Sequence, residues 1–80
     1  MNVSNFSPAE NKLLRILGYK KMTIEKLTAK YFEKEELPLN SNNIVAGIVL
    51  RINKKCEYHK LTWKIEGEGL GRSGKTVWRT

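Results

Sequence analysis

The sequence lacks aspartate altogether and contains a single cysteine and a single histidine in 80 residues. Because Cys56 stands alone, an internal disulfide and a multi-cysteine zinc site are excluded, and a reducing compartment is the simple interpretation. Because His59 is the only histidine, a histidine-based metal cluster is excluded as well, and we expect neither a metal nor a cofactor.

Long apolar runs are also missing. No stretch approaches the roughly 20 apolar residues of a membrane span, and the first residues lack the basic and apolar regions of a signal peptide. We therefore expect a cytoplasmic protein that makes no membrane contact.

Positive charge is what the sequence has in excess. Fifteen Lys and Arg residues stand against eight Glu residues, which gives a formal net charge of +7. Residues 41–80 hold eight basic and three acidic residues, whereas residues 1–40 hold seven and five. Such an excess on a small chain favours an anionic partner, most often nucleic acid, although a merely soluble basic protein is the alternative.

Length and an apolar share of 40% predict one domain over residues 1–80, with residues 1–6 as a flexible N-terminal arm. Ser7 and Glu10 have the spacing of a capping box, and Gly18 is a plausible end for the first helix. Thr23 predicts the N-cap of a second helix. A loop from Glu33 to Asn40 follows, because Pro38 disfavours helix before it.

A third helix is predicted after this loop, with Ser41 as its N-cap and its end near Lys55 or Cys56. At about 100° per residue, one side of this helix is apolar and predicted to be core, with Ile48 at its edge: Val45, Val49, Ile52 and Cys56. The opposite side carries Asn43, Gly47, Leu50, Arg51 and Lys54.

Two runs near the end of the chain alternate with a period of two, at residues 61–65 and 76–80. The Gly-rich stretch 67–74 lies between them, so the pattern predicts a β-hairpin with a long loop and hence an α+β fold. We expect Trp63 and Trp78, on the paired strands, to close this hairpin over the core.

Two apparent catalytic patterns are better explained by structure. Gly69 to Thr76 matches the phosphate-binding loop G-x-x-x-x-G-K-[ST], but no helix fits after Thr76 and there is no aspartate for magnesium. Cys56 and His59 have the spacing of a nucleophile and base, yet Cys56 falls on the apolar side of the third helix, where a thiol is inert. We expect no enzyme activity.

Three helices followed by a Gly-rich hairpin resemble the winged helix-turn-helix family of DNA-binding domains, over roughly residues 7 to 80. The most similar variety is the output domain of bacterial response regulators. Phe6 to Glu10 is similar to that family's Leu/Phe-Thr/Ser-Pro-x-Glu start, and Arg51 to Lys55 to its basic Arg-x-x-Lys-Lys stretch. Gly69 to Trp78 is similar to its glycine-bearing wing and aromatic last strand. We expect neither a receiver domain nor the family's extra N-terminal sheet within these 80 residues.

The resemblance implies a small sequence-specific double-stranded DNA-binding protein, a transcriptional regulator of phage or mobile-element type. Helix three would enter the major groove, and the hairpin wing would contact the backbone or minor groove. The residues expected on DNA are Ser41, Asn42, Asn43, Gly47, Arg51, Lys54, Lys55, Arg72 and Lys75.

Chemistry suggests a role for several of these residues. Asn42 and Asn43 carry the donor–acceptor pair that contacts adenine, and Arg51 suits guanine or a phosphate. Gly47 either permits close approach to DNA or packs tightly against a neighbouring helix. Leu50 suits a thymine methyl group or a protein interface.

Four other possibilities concern the partner. The same fold could serve as a protein-interaction module that binds and modulates a host protein. In the family the loop between helices two and three contacts RNA polymerase, which here corresponds to Glu33 to Asn40. RNA binding through the basic face is a weaker option, and a homodimer is plausible because such domains often bind paired half-sites.

Overall fold

The chain folds into helices packed against a small antiparallel sheet. A computed structural model describes residues 6–33, 36–69 and 75–80. The elements within these ranges are α1 (Pro8–Leu17), β1 (Met22–Thr23), α2 (Ile24–Tyr31), α3 (Ser41–Tyr58), β2 (Ile65–Glu68) and β3 (Thr76–Arg79). The predicted α+β class and the order of three helices before a hairpin are confirmed.

Local capping chemistry fixes the first two helices as predicted. The Ser7 hydroxyl accepts a hydrogen bond from the Glu10 N–H at 3.2 Å, and the Ser7 N–H donates to Glu10 Oε1 at 2.9 Å. Gly18, at φ 56°, ends α1 in a backbone conformation that favours glycine. The Thr23 hydroxyl accepts from the Lys26 N–H at 3.1 Å and caps α2.

Both predicted ends of α3 are wrong. Asn40 occupies the N-cap position, and no side chain caps this helix. The helical hydrogen bonds already begin at Asn40, whose carbonyl accepts from the Ile44 N–H at 3.1 Å, so Ser41 is the first residue inside the helix. At the other end α3 continues to Tyr58, beyond the predicted end near Lys55 or Cys56.

The end of α3 is closed by a Schellman-type turn. The Leu61 N–H donates to the Cys56 carbonyl at 2.8 Å and the Lys60 N–H to the Glu57 carbonyl at 3.2 Å, while Lys60 has φ 55°. This turn brings Leu61 back onto the core. The predicted strand over 61–65 is therefore wrong except at its last residue, because Leu61 and Trp63 pack on the core and pairing with β3 begins only where the Lys64 carbonyl accepts from the Thr80 N–H at 2.9 Å.

The sheet has the strand order β1-β3-β2 and is antiparallel throughout. Ile65 lies opposite Arg79, and Met22 lies opposite Val77. The two-residue strand β1 was not predicted, since it is too short to give a periodic signal. The second predicted strand, at residues 76–80, is confirmed to within one residue.

The core lies between the three helices and the inner face of the sheet. The four predicted core residues of α3 and Ile48 at their edge are all buried, together with residues from every other element. These others are Leu13, Leu17, Met22, Ile24, Leu27, Tyr31, Ile65 and Val77.

The two tryptophans lie on different sides of the sheet. Trp63 packs against the core, as predicted. Trp78 does not close the core, because it follows the inward-facing Val77 and its side chain points to the other face. There the Lys21 Nζ lies 4.8 Å from the centre of the Trp78 ring.

Candidate functional site

Seven of the nine residues predicted to contact DNA lie on α3. Asn43, Leu50, Arg51 and Lys54 are exposed, as predicted for the outer side of this helix. Ser41, Asn42, Gly47 and Lys55 are partly buried. Ser41 and Asn42 begin the helix, about 20 Å along its axis from Lys54, so the predicted residues form an extended row rather than a compact pocket.

Glu10 of α1 lies under this helix and is only 2% exposed. The Lys55 ammonium donates to Glu10 Oε1 at 2.8 Å, and the Arg51 Nε lies 3.5 Å from Glu10 Oε2. Two of the predicted DNA contacts therefore already have a carboxylate partner within the chain, and this pairing joins α3 to α1.

The electrostatics of this contact favour the ionised carboxylate. Burial alone would raise the pKa of Glu10, but the hydrogen bonds from Lys55 and the Ser7 N–H oppose it, as do the charges of Lys55 and Arg51. Together they hold the pKa of Glu10 below its ordinary value. Glu10 is thus a buried anion whose compensation comes mainly from α3.

Asn53 fixes α3 to the β2–β3 hairpin. Its side-chain amide donates to the Ile65 carbonyl at 2.9 Å and accepts from the Ile65 N–H at 2.8 Å. The Asn53 amide thus satisfies both outward-facing backbone groups at the start of β2, which is the free edge of the sheet. The outer side of α3 and the hairpin therefore hold a fixed relative position.

Two cavities that share lining residues lie along α3 and are here together called the α3–β2 cleft. One, of about 410 Å³, lies against residues 61–64, which precede β2, and the other, of about 250 Å³, lies against β2 and β3. Leu50 and Asn53 line both parts. Lys54 lines the larger part, and Lys75 of the hairpin lines the smaller one.

The cleft has a mixed charge. Lys64 also lines it, but its ammonium lies 3.7 Å from Glu66 Oε2. Glu57 adds a further negative charge beside Lys54. Lys54 and Lys75 make no ion pair with a described residue, and they are the cations that the cleft offers to a partner.

Gly47 lies in the middle of the outer side of α3. A Cβ atom placed on it would have no neighbour within 4 Å. The alternative that Gly47 packs tightly against a neighbouring helix is therefore wrong for the described residues. Nothing on the described surface requires a glycine there, although it costs about 1 kcal/mol in a helix relative to alanine.

The hairpin connection is only partly described. Arg72 lies outside the described residues, as does most of the Gly69 to Thr76 stretch. Lys75 is exposed, and its carbonyl accepts from the Ile24 N–H at 2.8 Å, which anchors this end of the hairpin to α2. Thr76 opens strand β3, where a phosphate-binding loop of this pattern would open a helix.

The remaining chemically reactive groups are dispersed. Cys56 is buried, and burial raises the pKa of its thiol against the opposing charge of Arg79. His59 is exposed beyond the end of α3, and its ring makes an edge-to-face contact with Tyr58, with 5.0 Å between the ring centres. Among the described residues no group of three His, Cys, Asp or Glu is placed to hold a metal ion. No helix in these ranges is both long and apolar enough to cross a bilayer.

Sequence reasoning missed three side chains that organise this surface. The sequence predicted Glu10 only as part of a capping box. No residue near it in sequence indicates that Arg51 and Lys55, 41 and 45 residues further along the chain, contact its carboxylate. Asn53 gave no signal because its partner is a backbone group in another element. Arg79 lies between two rings, with its guanidinium carbon 4.0 Å from the centre of Trp63 and 4.9 Å from that of Tyr19.

Comparisons with known proteins add no relative: no protein-family model, no curated protein and no solved structure matches this chain.

Proposed function

We propose that this protein is a winged helix-turn-helix domain that binds double-stranded DNA sequence-specifically and regulates transcription. The observation that carries the proposal is the α3–β2 cleft, where Leu50 of α3 lines both parts, Lys54 of the helix lines one and Lys75 of the hairpin lines the other. A helix and a hairpin that present cations to one surface suit a duplex, whose grooves and phosphates lie side by side.

The order of the elements supports the same function. In a helix-turn-helix domain the second helix of a pair enters the major groove, while the first crosses the backbone. Here α2 and α3 are joined by a loop, and α3, at 18 residues, is the longer and has the uncovered outer side. The hairpin that follows α3 takes the place of the wing.

Charge substitutions test this proposal. We expect Lys54→Ala and Lys75→Ala each to weaken duplex binding, because each removes one phosphate contact. Each should also reduce by about one the steepness with which the logarithm of the association constant falls against the logarithm of salt concentration. Arg15→Ala, on the exposed last turn of α1 and outside the helix pair, is the control and should leave binding unchanged. An equal effect of all three changes would show a merely nonspecific attraction and would contradict the proposed surface.

A second candidate function has one observation in its favour. The outer side of α3 also exposes apolar surface, with Leu50 62% and Tyr58 81% exposed. Apolar exposure of this kind suits a protein partner, so the alternative is a module that binds and modulates a host protein. Absence of duplex affinity at low salt, together with capture of one protein that Leu50→Ala abolishes, would favour this second function.

A further inference from the structure

The outer side of α3 separates into two rows of different chemistry. Asn43, Gly47, Leu50 and Lys54 follow one another at intervals of four, three and four residues, so they lie within about 60° of one another around the helix. Arg51 and Lys55 lie further round, on the side that faces Glu10 of α1.

The second row, Arg51 and Lys55, already contacts the carboxylate of Glu10. The Glu10 carboxylate is 2% exposed and depends on Lys55 at 2.8 Å and Arg51 at 3.5 Å for its compensation. An Arg51 side chain that turned away to contact a base would remove one of these cations from a buried anion, which is unfavourable. Arg51 can keep its Nε near Glu10 and still direct its terminal nitrogens to a phosphate.

The first row is free and has a gap at its centre. Asn43 is exposed and makes no side-chain hydrogen bond to any described residue, and Leu50 is 62% exposed. Gly47, between them, leaves open space where a Cβ would stand. A partner can therefore approach the α3 backbone most closely at Gly47 and meet Asn43 and Leu50 on either side.

The chemistry of these two side chains specifies the base pairs that they suit. A carboxamide pairs with the N6 and N7 atoms of adenine, and an aliphatic side chain contacts the thymine methyl group. Asn43 and Leu50 are seven positions apart, which spans about 10.5 Å along the helix axis, or about three base-pair steps along a groove.

We infer that Asn43 and Leu50 are the residues that select the bases, at two A·T pairs about three steps apart, and that Arg51 is a positioning residue that contacts phosphate alone. This inference rests on the proposed DNA binding. It assigns base selection to the two uncharged side chains on either side of Gly47, and not to the basic residues at 51, 54 and 55.

The experiment starts with wild-type protein and a random pool of duplexes, from which bound sequences are selected at low salt. The selected duplex is then resynthesised with each thymine replaced singly by uracil, which removes only the C5 methyl group. At one position the wild type should bind the uracil duplex about fourfold more weakly, the value of one buried methyl-sized group. Leu50→Ala should bind both duplexes equally.

Two further variants complete the design. The wild type should prefer the selected duplex over one in which a particular adenine is replaced, and Asn43→Ala should reduce this ratio of affinities about tenfold, the value of one bidentate base contact. Arg51→Ala should weaken binding to selected and scrambled duplexes by the same factor and keep the thymine-to-uracil ratio. Each ratio compares the affinities of one protein for two duplexes. Partial unfolding of a variant lowers both affinities by the same factor and therefore leaves the ratio unchanged.

The outcomes separate this inference from the proposed function. Failure of the wild type to retain any duplex at low salt overturns both. Two outcomes overturn the inference and leave DNA binding standing. One is that the wild type binds selected and scrambled duplexes with equal affinity. The other is that Arg51→Ala loses the base preference while Leu50→Ala keeps it. A thymine-to-uracil ratio of one at every position in the wild type also overturns it.

Discussion

At the scale of single residues, two polar side chains hold the candidate interface in place. Glu10 joins α1 to α3 through Lys55 and Arg51, and Asn53 joins α3 to the first residue of β2. Each satisfies buried or edge groups that would otherwise lack a partner. The residues that orient the exposed row of α3 are therefore different from the residues that form the row.

The first prediction concerns pH. The folded-state pKa of Glu10 lies below its ordinary value, so its contribution to stability is present above the unfolded-state pKa and is lost as pH falls through the folded one. We expect Glu10→Gln to lower the free energy of unfolding at neutral pH by about 1–2 kcal/mol, because it removes the charge that Lys55 and Arg51 contact. The loss is no larger because both cations are exposed enough to remain hydrated without that partner. The difference from wild type should shrink in acid, as measured by urea unfolding at several pH values.

Glu25→Gln is the matched control for that experiment. Glu25 also lies in the first turn of a helix, but it is exposed. Its substitution should change the free energy of unfolding by a few tenths of a kcal/mol. Equal losses in the two variants, or a Glu10→Gln difference that grows in acid, would contradict the role assigned to Glu10.

The second prediction concerns Asn53. Asn53→Ala removes two hydrogen bonds to Ile65, which should cost about 1–3 kcal/mol of stability and speed hydrogen exchange at the Ile65 amide. Asn43→Ala removes the same amide group from the exposed row and should be nearly neutral for folding. Retained protection at Ile65 in Asn53→Ala would show that the hairpin is held on α3 by other contacts.

At the scale of elements, local signals predicted the starts of α1 and α2 because the capping partners lie three residues apart. The ends of α3 and the start of β2 escaped prediction for a different reason. Lys60 adopts a left-handed backbone conformation that its side chain does not favour, and the turn there is closed by hydrogen bonds to Cys56 and Glu57. Alternating residues such as Leu61 and Trp63 then pack on the core without a strand.

The third prediction concerns Gly47 within α3. Gly47→Ala should raise the free energy of unfolding by up to about 1 kcal/mol, because alanine favours helix and its methyl group meets no neighbour. The same change should weaken duplex binding, since the added Cβ stands at the point of closest approach. Thermal unfolding and duplex titration of one preparation measure both effects. A variant that is more stable and binds as tightly as wild type would contradict close approach at Gly47.

At the scale of the whole molecule, the excess charge of residues 41–80 is divided between two uses. Arg51 and Lys55 compensate Glu10, Lys64 pairs with Glu66, and Lys54 and Lys75 line the cleft. Helical periodicity predicted which side of α3 is exposed, because burial follows the repeat of the helix. It could not predict which cations are already paired, since those contacts join residues that are distant in sequence.

The salt dependence of duplex binding by the wild-type protein tests the central claim most directly. With phosphate contacts from Arg51, Lys54 and Lys75, the logarithm of the association constant should fall linearly against the logarithm of salt concentration with a slope of about −2.7. Affinity should then drop about 40-fold between roughly 50 and 200 mM salt. Duplex binding that is absent at 50 mM salt, or that persists unchanged across this range, would contradict DNA binding by this surface.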